Sequence, residues 1–233
     1  RTTRSSPTQV GTDTTWTGAV NCLNSDSSYV YKTDGTLWVW GENSYGQLGL
    51  NTAIDYSSPT QLPGTYSTVS GTSADEVAFI KSGGTLWVAG RNFSGGLGQN
   101  NETSYSSPVQ IPGTTWSTAT TGYGGGMAIK TDGTLWSWGQ GLSGMLGLND
   151  EVKRSSPTQV GTDTNWSSTF SMGRTAAAIK TDGTLWMWGE AGNGEMGFNN
   201  TVDLSSPTQL GTNTDWNTVY TTSWNGQTMA MRG

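Results

Sequence analysis

Histidine is absent from the chain, cysteine occurs once, and lysine and arginine together number 11 against 17 acidic residues. Each scarcity closes off a class of function. Without histidine, neither a Ser-His-Asp nor a Cys-His nucleophile can be assembled, and a zinc site lacks its usual ligand; no enzyme activity, cofactor or metal is expected. The lone Cys22 excludes an internal disulfide. A formal net charge of −6, with the basic residues scattered, leaves no positive stripe to follow a phosphate backbone, so no nucleic-acid partner is expected. No apolar run approaches the ~18 residues of a spanning helix, and no charged start with an apolar core resembles a signal peptide; membrane insertion is not expected.

Glycine (34) and tryptophan (12) are abundant instead, and they recur periodically. The stretch Lys130 to Gly139, KTDGTLWSWG, has relatives beginning at Lys32, Lys81 and Lys180, so successive copies start 49, 49 and 50 residues apart. In each, alternating residues such as Met127 and Ile129 lead into a corner at Asp132-Gly133, and Leu135 to Trp138 leads out, the pattern of a β-hairpin. Gly83-Gly84 makes the same corner in the Lys81 copy. A period near fifty built from short strands, with no helical stretch, points to an all-β propeller with one four-stranded blade per repeat.

Four strands, A to D, follow within each repeat. D strands are expected at Pro7–Val10, Pro59–Leu62, Pro108–Ile111, Pro157–Val160 and Pro207–Leu210, each with proline at its first residue, which an outermost strand tolerates best. A strands start near Trp16, Tyr66, Trp116, Trp166 and Trp216; B strands end in the recurring lysine or in Arg232. The C strand occurs only four times. The expected domain is a single propeller over residues 1–233, with repeats at 12–62, 63–111, 112–160, 161–210 and 211–233, the last completed by 1–11. That is a five-bladed ring closed by its N- and C-terminal strands. The fifth blade lacks a C strand, so a partner strand is a candidate to dock at its edge.

Between strands C and D lie loops such as GENSYGQLGLNTAIDYSS and GRNFSGGLGQNNETSYSS. Trp40-Gly41-Glu42-Asn43 and Gly46-Gln47-Leu48-Gly49, with the prolines and the period, resemble the repeats of the regulator of chromosome condensation family. The resemblance covers essentially the whole chain and implies a β-propeller, typically seven-bladed in that family, with a histidine before strand B that this chain replaces. It also implies interaction with a small GTPase and chromatin as the family's best-known activity, but no residue here carries that role over. The near-identical Ser/Thr/Asn-rich copies are more similar to bacterial and bacteriophage repeat proteins.

The remaining chemistry is sparse. Asp26, Asp75, Glu76, Glu102, Glu151 and Glu190 are available for carboxylate chemistry, but no spacing singles out a pair, and they are expected to be solvated loop charges. Gly122, Gly124, Gly125 and Gly126 lack the helix of a phosphate cradle and mark a turn. The triplets at Asp13, Asp163 and Asn213 offer too few oxygens for calcium. The tryptophans two apart on each C strand share a face and are expected to pack between blades, with Ala89, which replaces the second one in blade two, leaving a gap for a neighbour to fill.

Topology puts the AB and CD loops on one face of the disc and the repetitive BC and DA connections on the other. The variable AB/CD face is the expected binding surface, with Tyr123, Arg174 and Trp224 from AB loops and Tyr45 and Phe93 from CD loops as candidate contacts. Tyr45 and Phe93 equally suit packing under their own loops. The expected function is non-catalytic recognition of a protein or glycan receptor at a virion or cell surface; an assembly role in a larger particle is the alternative, and a GTPase-regulator-like interaction is more remote.

Overall fold

The computed structural model describes residues 9–21, 26–71, 75–221 and 228–233. It contains four four-stranded antiparallel sheets and one hairpin, each sheet running in chain order from A to D. The first comprises β1 (Trp16–Asn21), β2 (Ser27–Lys32), β3 (Leu37–Gly41) and β4 (Tyr56–Leu62). The second comprises β5 (Tyr66–Ser70), β6 (Glu76–Lys81), β7 (Thr85–Gly90) and β8 (Tyr105–Ile111). β9 (Trp116–Gly122), β10 (Gly125–Lys130), β11 (Leu135–Gly139) and β12 (Arg154–Gln159) form the third. The fourth has β13 (Trp166–Met172), β14 (Thr175–Lys180), β15 (Leu185–Gly189) and β16 (Leu204–Gln209), and β17 (Trp216–Thr221) with β18 (Thr228–Arg232) makes the final hairpin.

The recurring KTDGTLW stretch accounts for its own conservation of shape within the chain. The amide of Gly133 donates to Lys130 O at 2.9 Å, and the glycine takes φ 79, closing a type I turn with a left-handed fourth residue. Asp132 accepts from the Thr134 hydroxyl (2.7 Å), and Thr134 Oγ1 in turn accepts from the Trp136 indole (2.9 Å). Lys130 then lies 3.9 Å from the Trp136 ring centroid. Lys32 with Trp38 and Lys180 with Trp186 repeat the contact at 3.7 and 3.9 Å. These tryptophans are half-buried under a lysine and belong to the fold.

Gly133 also bolts one sheet to the next. Its carbonyl accepts from the Trp166 amide (3.1 Å), and a Cβ on Gly133 would sit 1.9 Å from Thr164 O. No other residue permits that approach. At the opposite face the Trp138 indole donates to Gly96 O (2.8 Å) and the Trp188 indole to Met145 O (3.0 Å), each reaching back into the preceding sheet's CD loop. The core is therefore a series of apolar layers between sheets, with Trp138 and Trp188 fully buried in the second and third.

Between the first two sheets, where Ala89 stands in place of a tryptophan, the neighbour that fills the gap is Tyr29. Its ring is buried against Phe79, centroids 6.2 Å apart, and its hydroxyl donates to Gln47 O at 2.8 Å, the carbonyl that the missing indole would have bonded.

The D strands differ from expectation in their start. Pro59 is the fourth residue of β4 and Pro108 the fourth of β8, not the first. The register shift between Val39 and Gly41 places Pro59 in an irregular stretch of the outermost strand, where the ladder does not need its missing N–H. Half of the closing strand expected at Pro7–Val10 lies outside the described residues, and the other half, residues 9 and 10, is not in a strand. A short 3-10 turn at Leu142–Gly144 is the one helical element among the described residues.

Candidate functional site

The AB and CD loops of neighbouring sheets converge on one rim. Arg91, which follows β7, places its guanidinium 4.9 Å from the Tyr45 ring centroid and 5.0 Å from that of Phe93, so it is flanked by rings from two successive CD loops. Tyr45 and Phe93 are exposed, Phe93 to 70%, and neither packs beneath its loop. Beyond Phe93 a cavity of about 230 Å³ opens toward the third sheet, and Tyr123 forms its far wall. The Tyr123 hydroxyl accepts from Arg174 Nη2 (3.0 Å), and Arg174 Nη1 bridges on to Glu190 (3.1 Å). Four of the five sequence-derived candidates thus form one continuous row. Trp224 lies outside the described residues.

Tyr123 is held there by an unfavourable backbone. It takes φ 46 and Gly124 takes φ 77 in the two-residue connection between β9 and β10, a turn with positive φ at both corners that suits asparagine and glycine. A bulky residue in that region costs roughly 1 kcal/mol. This also settles the glycine cluster at 122–126 as a hairpin turn.

Two residues escaped sequence reasoning. Arg91 was not singled out, although its counterparts after β3, β11 and β15 are Glu42, Gln140 and Glu190. Glu76, expected to be a solvated loop charge, is instead the first residue of β6, only 4% exposed, and lines the cavity. Its Oε2 has no hydrogen-bond partner among the described residues. Burial pushes its carboxyl well above the usual range; Arg91 opposes the shift and Asp75 adds to it. Asp75 is also raised by burial, against Arg91, whose guanidinium lies 3.9 Å away. Lining up the four repeats exposes both departures, which a reading of charges in isolation misses.

Of the other carboxylates weighed above, Glu102 pairs with Lys153 and Glu190 with Arg174. Asp13 and Asp163 face Lys32 (2.6 Å) and Lys180 (2.7 Å), not a cation site. Among the described residues no group of three or more Cys, Asp or Glu side chains gathers as metal ligands, and no helix is long and apolar enough to cross a membrane. The rim offers rings, guanidinium groups and one buried acid, which is equipment for recognition.

The Regulator of chromosome condensation (RCC1) repeat matches residues 34–74 and 132–178. Human WBSCR16 superposes with a TM-score of 0.73 at 21% identity, over 84% of this chain and 53% of that one. Prp20p from Saccharomyces cerevisiae does so with a TM-score of 0.73 at 17% identity, over 93% and 56%. Yeast RCC1 (Prp20) in a complex with Kap60 gives 0.71 at 17%, over 89% and 51%. The chain spans about half the length of these solved structures, and the likeness concerns the fold. No curated protein matches its sequence. Four-stranded blades bolted together through glycine turns and indoles define the class as a β-propeller. Within that class the two matched segments are similar to the RCC1 repeat.

Proposed function

We propose that this protein is a non-catalytic recognition module that binds a protein partner through the AB/CD rim. The observation that carries the reading is the row Tyr45, Arg91, Phe93, Tyr123 and Arg174, in which the exposed Tyr45 and Phe93 rings, the half-buried Tyr123 ring and two guanidinium groups, drawn from four sheets, stand side by side along one rim. Aromatic residues and arginine contribute most to binding energy at protein interfaces. The strained backbone at Tyr123 supports it, because the turn itself favours asparagine or glycine and does not account for a ring at that corner. Prp20p is described as binding Gsp1p and histones, and yeast RCC1 as bound by Kap60, so protein partners have precedent on this fold. Exposed Phe93 beside Arg91 and Gln140 also suits stacking on a sugar, and a glycan receptor at a virion or cell surface is the second reading.

The test uses Phe93→Ser and Tyr123→Asn together. Asparagine accepts the positive φ, and Phe93 is exposed, so the fold is retained. Quantitative capture of partners from extracts of the source cells should fall at least about tenfold, the loss of one good anchor at roughly 1.4 kcal/mol. A glycan array run in parallel separates the second reading from the first. Unchanged capture with a lowered melting temperature would assign these rings to the fold.

A further inference from the structure

The second sheet departs from the other three at three positions that meet in one place. Register opposite Gly41, Gly90, Gly139 and Gly189 makes Ser27, Glu76, Gly125 and Thr175 equivalent. Ser27 and Thr175 satisfy themselves locally, their hydroxyls donating to Glu42 O and Glu190 O at 2.7 and 2.9 Å. Glu76 cannot do so. Its carboxyl is buried, with Oε2 unpartnered among the described residues. The second departure is Gly96, where the other CD loops have Gln47, Met145 and Glu195. A Cβ there would lie 2.4 Å from Glu76 Oε1, so the glycine makes room for the carboxyl. Gln47 and Glu195 use their side chains to accept from the amides of Tyr45 and Asn193, and the second loop forgoes that bond. The third departure is Arg91 itself.

A buried acid without a donor is destabilising, and the adjoining cavity is where a donor can enter. We propose that this cavity receives a cationic side chain of a protein partner, an ammonium or guanidinium group, with the Glu76 carboxylate as counter-ion and the Phe93 and Tyr123 rings along its apolar stem. The assignment rests on the recognition reading above and gives it a chemistry. Arg91 does not already fill this role: it sits between the Tyr45 and Phe93 rings, its guanidinium 3.9 Å from Asp75. The charged and titratable groups facing Glu76 are Asp75, Arg91 and Tyr123, with the neutral Ser94 and Gln140 completing the wall. With Asp75 and Glu76 ionised against Arg91 the site carries one net negative charge, which a single cation balances. Phosphate or carboxylate would meet that charge unfavourably. At ~30 Å³ per water the cavity has room for several waters or one such side chain. Ring faces attract cations.

Because the cation binds the ionised form of Glu76, and burial keeps that carboxyl protonated above the usual range, affinity must rise with pH. The test is an amide-resolved NMR titration of the purified chain with n-butylguanidinium and n-butylammonium, and with galactose and inorganic phosphate as the contrasting arms. The expected result is saturable shifts at Ser94, Tyr123 and Gly124 with the cations, and a Kd that falls by up to about tenfold per pH unit while Glu76 titrates. Glu76→Ser, which restores the residue of the first sheet, should weaken cation binding by about tenfold or more and remove its pH dependence while leaving the spectrum folded. Absence of saturation by either cation, equal binding by Glu76→Ser, or preferential saturation by galactose or phosphate would overturn the assignment. The probes need no partner, so a failed titration alongside intact capture through Phe93 and Tyr123 removes the cation site and leaves the recognition reading standing.

Discussion

Glu76 and the turn aspartates act on stability from opposite ends of the pH scale. Glu76 has its folded-state pKa raised by burial, so its unfavourable effect is absent while it is protonated in both states. That effect then grows as pH rises from the unfolded value through the folded one. Asp34, Asp132 and Asp182 are lowered, first by the hydroxyls of Thr36, Thr134 and Thr184; their contribution is present above the ordinary aspartate range and lost as pH falls below it. Stability measured by urea unfolding should therefore climb from strongly acidic pH, pass a maximum, and then decline by up to ~1.4 kcal/mol per pH unit over the interval in which Glu76 ionises. Glu76→Gln should remove most of the decline, leaving only the smaller part that Asp75, also raised by burial, contributes, and should keep the acid limb. A declining limb undiminished in Glu76→Gln would mean the Glu76 carboxyl is solvated after all. Tyr123 gives a second residue-scale expectation: Tyr123→Asn keeps a residue suited to the left-handed corner but removes a half-buried ring packed on the core and the acceptor of Arg174, so relief of roughly 1 kcal/mol of strain is offset and stability should change by less than about 1 kcal/mol, measured by the same unfolding curves.

Among elements, the indole bolts dominate. Trp138 is buried to 0% exposure and donates to Gly96 O, so Trp138→Ala should cost about 3–5 kcal/mol and loosen the joint between the second and third sheets. Tyr29→Phe removes the bond to Gln47 O and should cost about 1 kcal/mol by the same measurement. Hairpins, turns and the packing of most tryptophans were legible in the sequence, because a residue that performs the same local task recurs at the same offset: Asp132, Gly133, Thr134 and Trp136 each have their counterparts. The gap at Ala89 was legible for the same reason. Glu76, Gly96 and Arg91 work only through one another, across strand register and a sheet boundary, and no single-strand pattern brings them together. Four of the five candidate contacts, Tyr45, Phe93, Tyr123 and Arg174, were legible as aromatic or basic departures in loops, but the sandwiching of Arg91 and the link from Tyr123 to Arg174 are properties of the assembled rim. The proline offset in the D strands was hidden because a bulge changes register without changing composition.

At the scale of the whole molecule the final hairpin differs from every other sheet. Its inward side, with Val219 and Ala230, packs on the fourth sheet, while Tyr220, Met229 and Met231 on the opposite side are 57, 65 and 49% exposed. Among the described residues β18 pairs with β17 alone, whereas β2, β6, β10 and β14 each pair on both sides. A B strand paired on one side among the described residues, with an apolar outer face, is a template for another strand. The expected occupant is the chain's own stretch 1–11, whose SSPTQVG repeats the outer-strand sequence, and a strand from another chain is the competing one. Removing residues 1–11 should lower the melting temperature sharply and abolish the slow hydrogen exchange expected at the amides of 228–232 if their own chain covers them. Should those amides exchange rapidly in the intact chain, and should light scattering show association that Met229→Lys with Met231→Lys disperses, the edge is filled by a second molecule and the ring is not closed by residues 1–11.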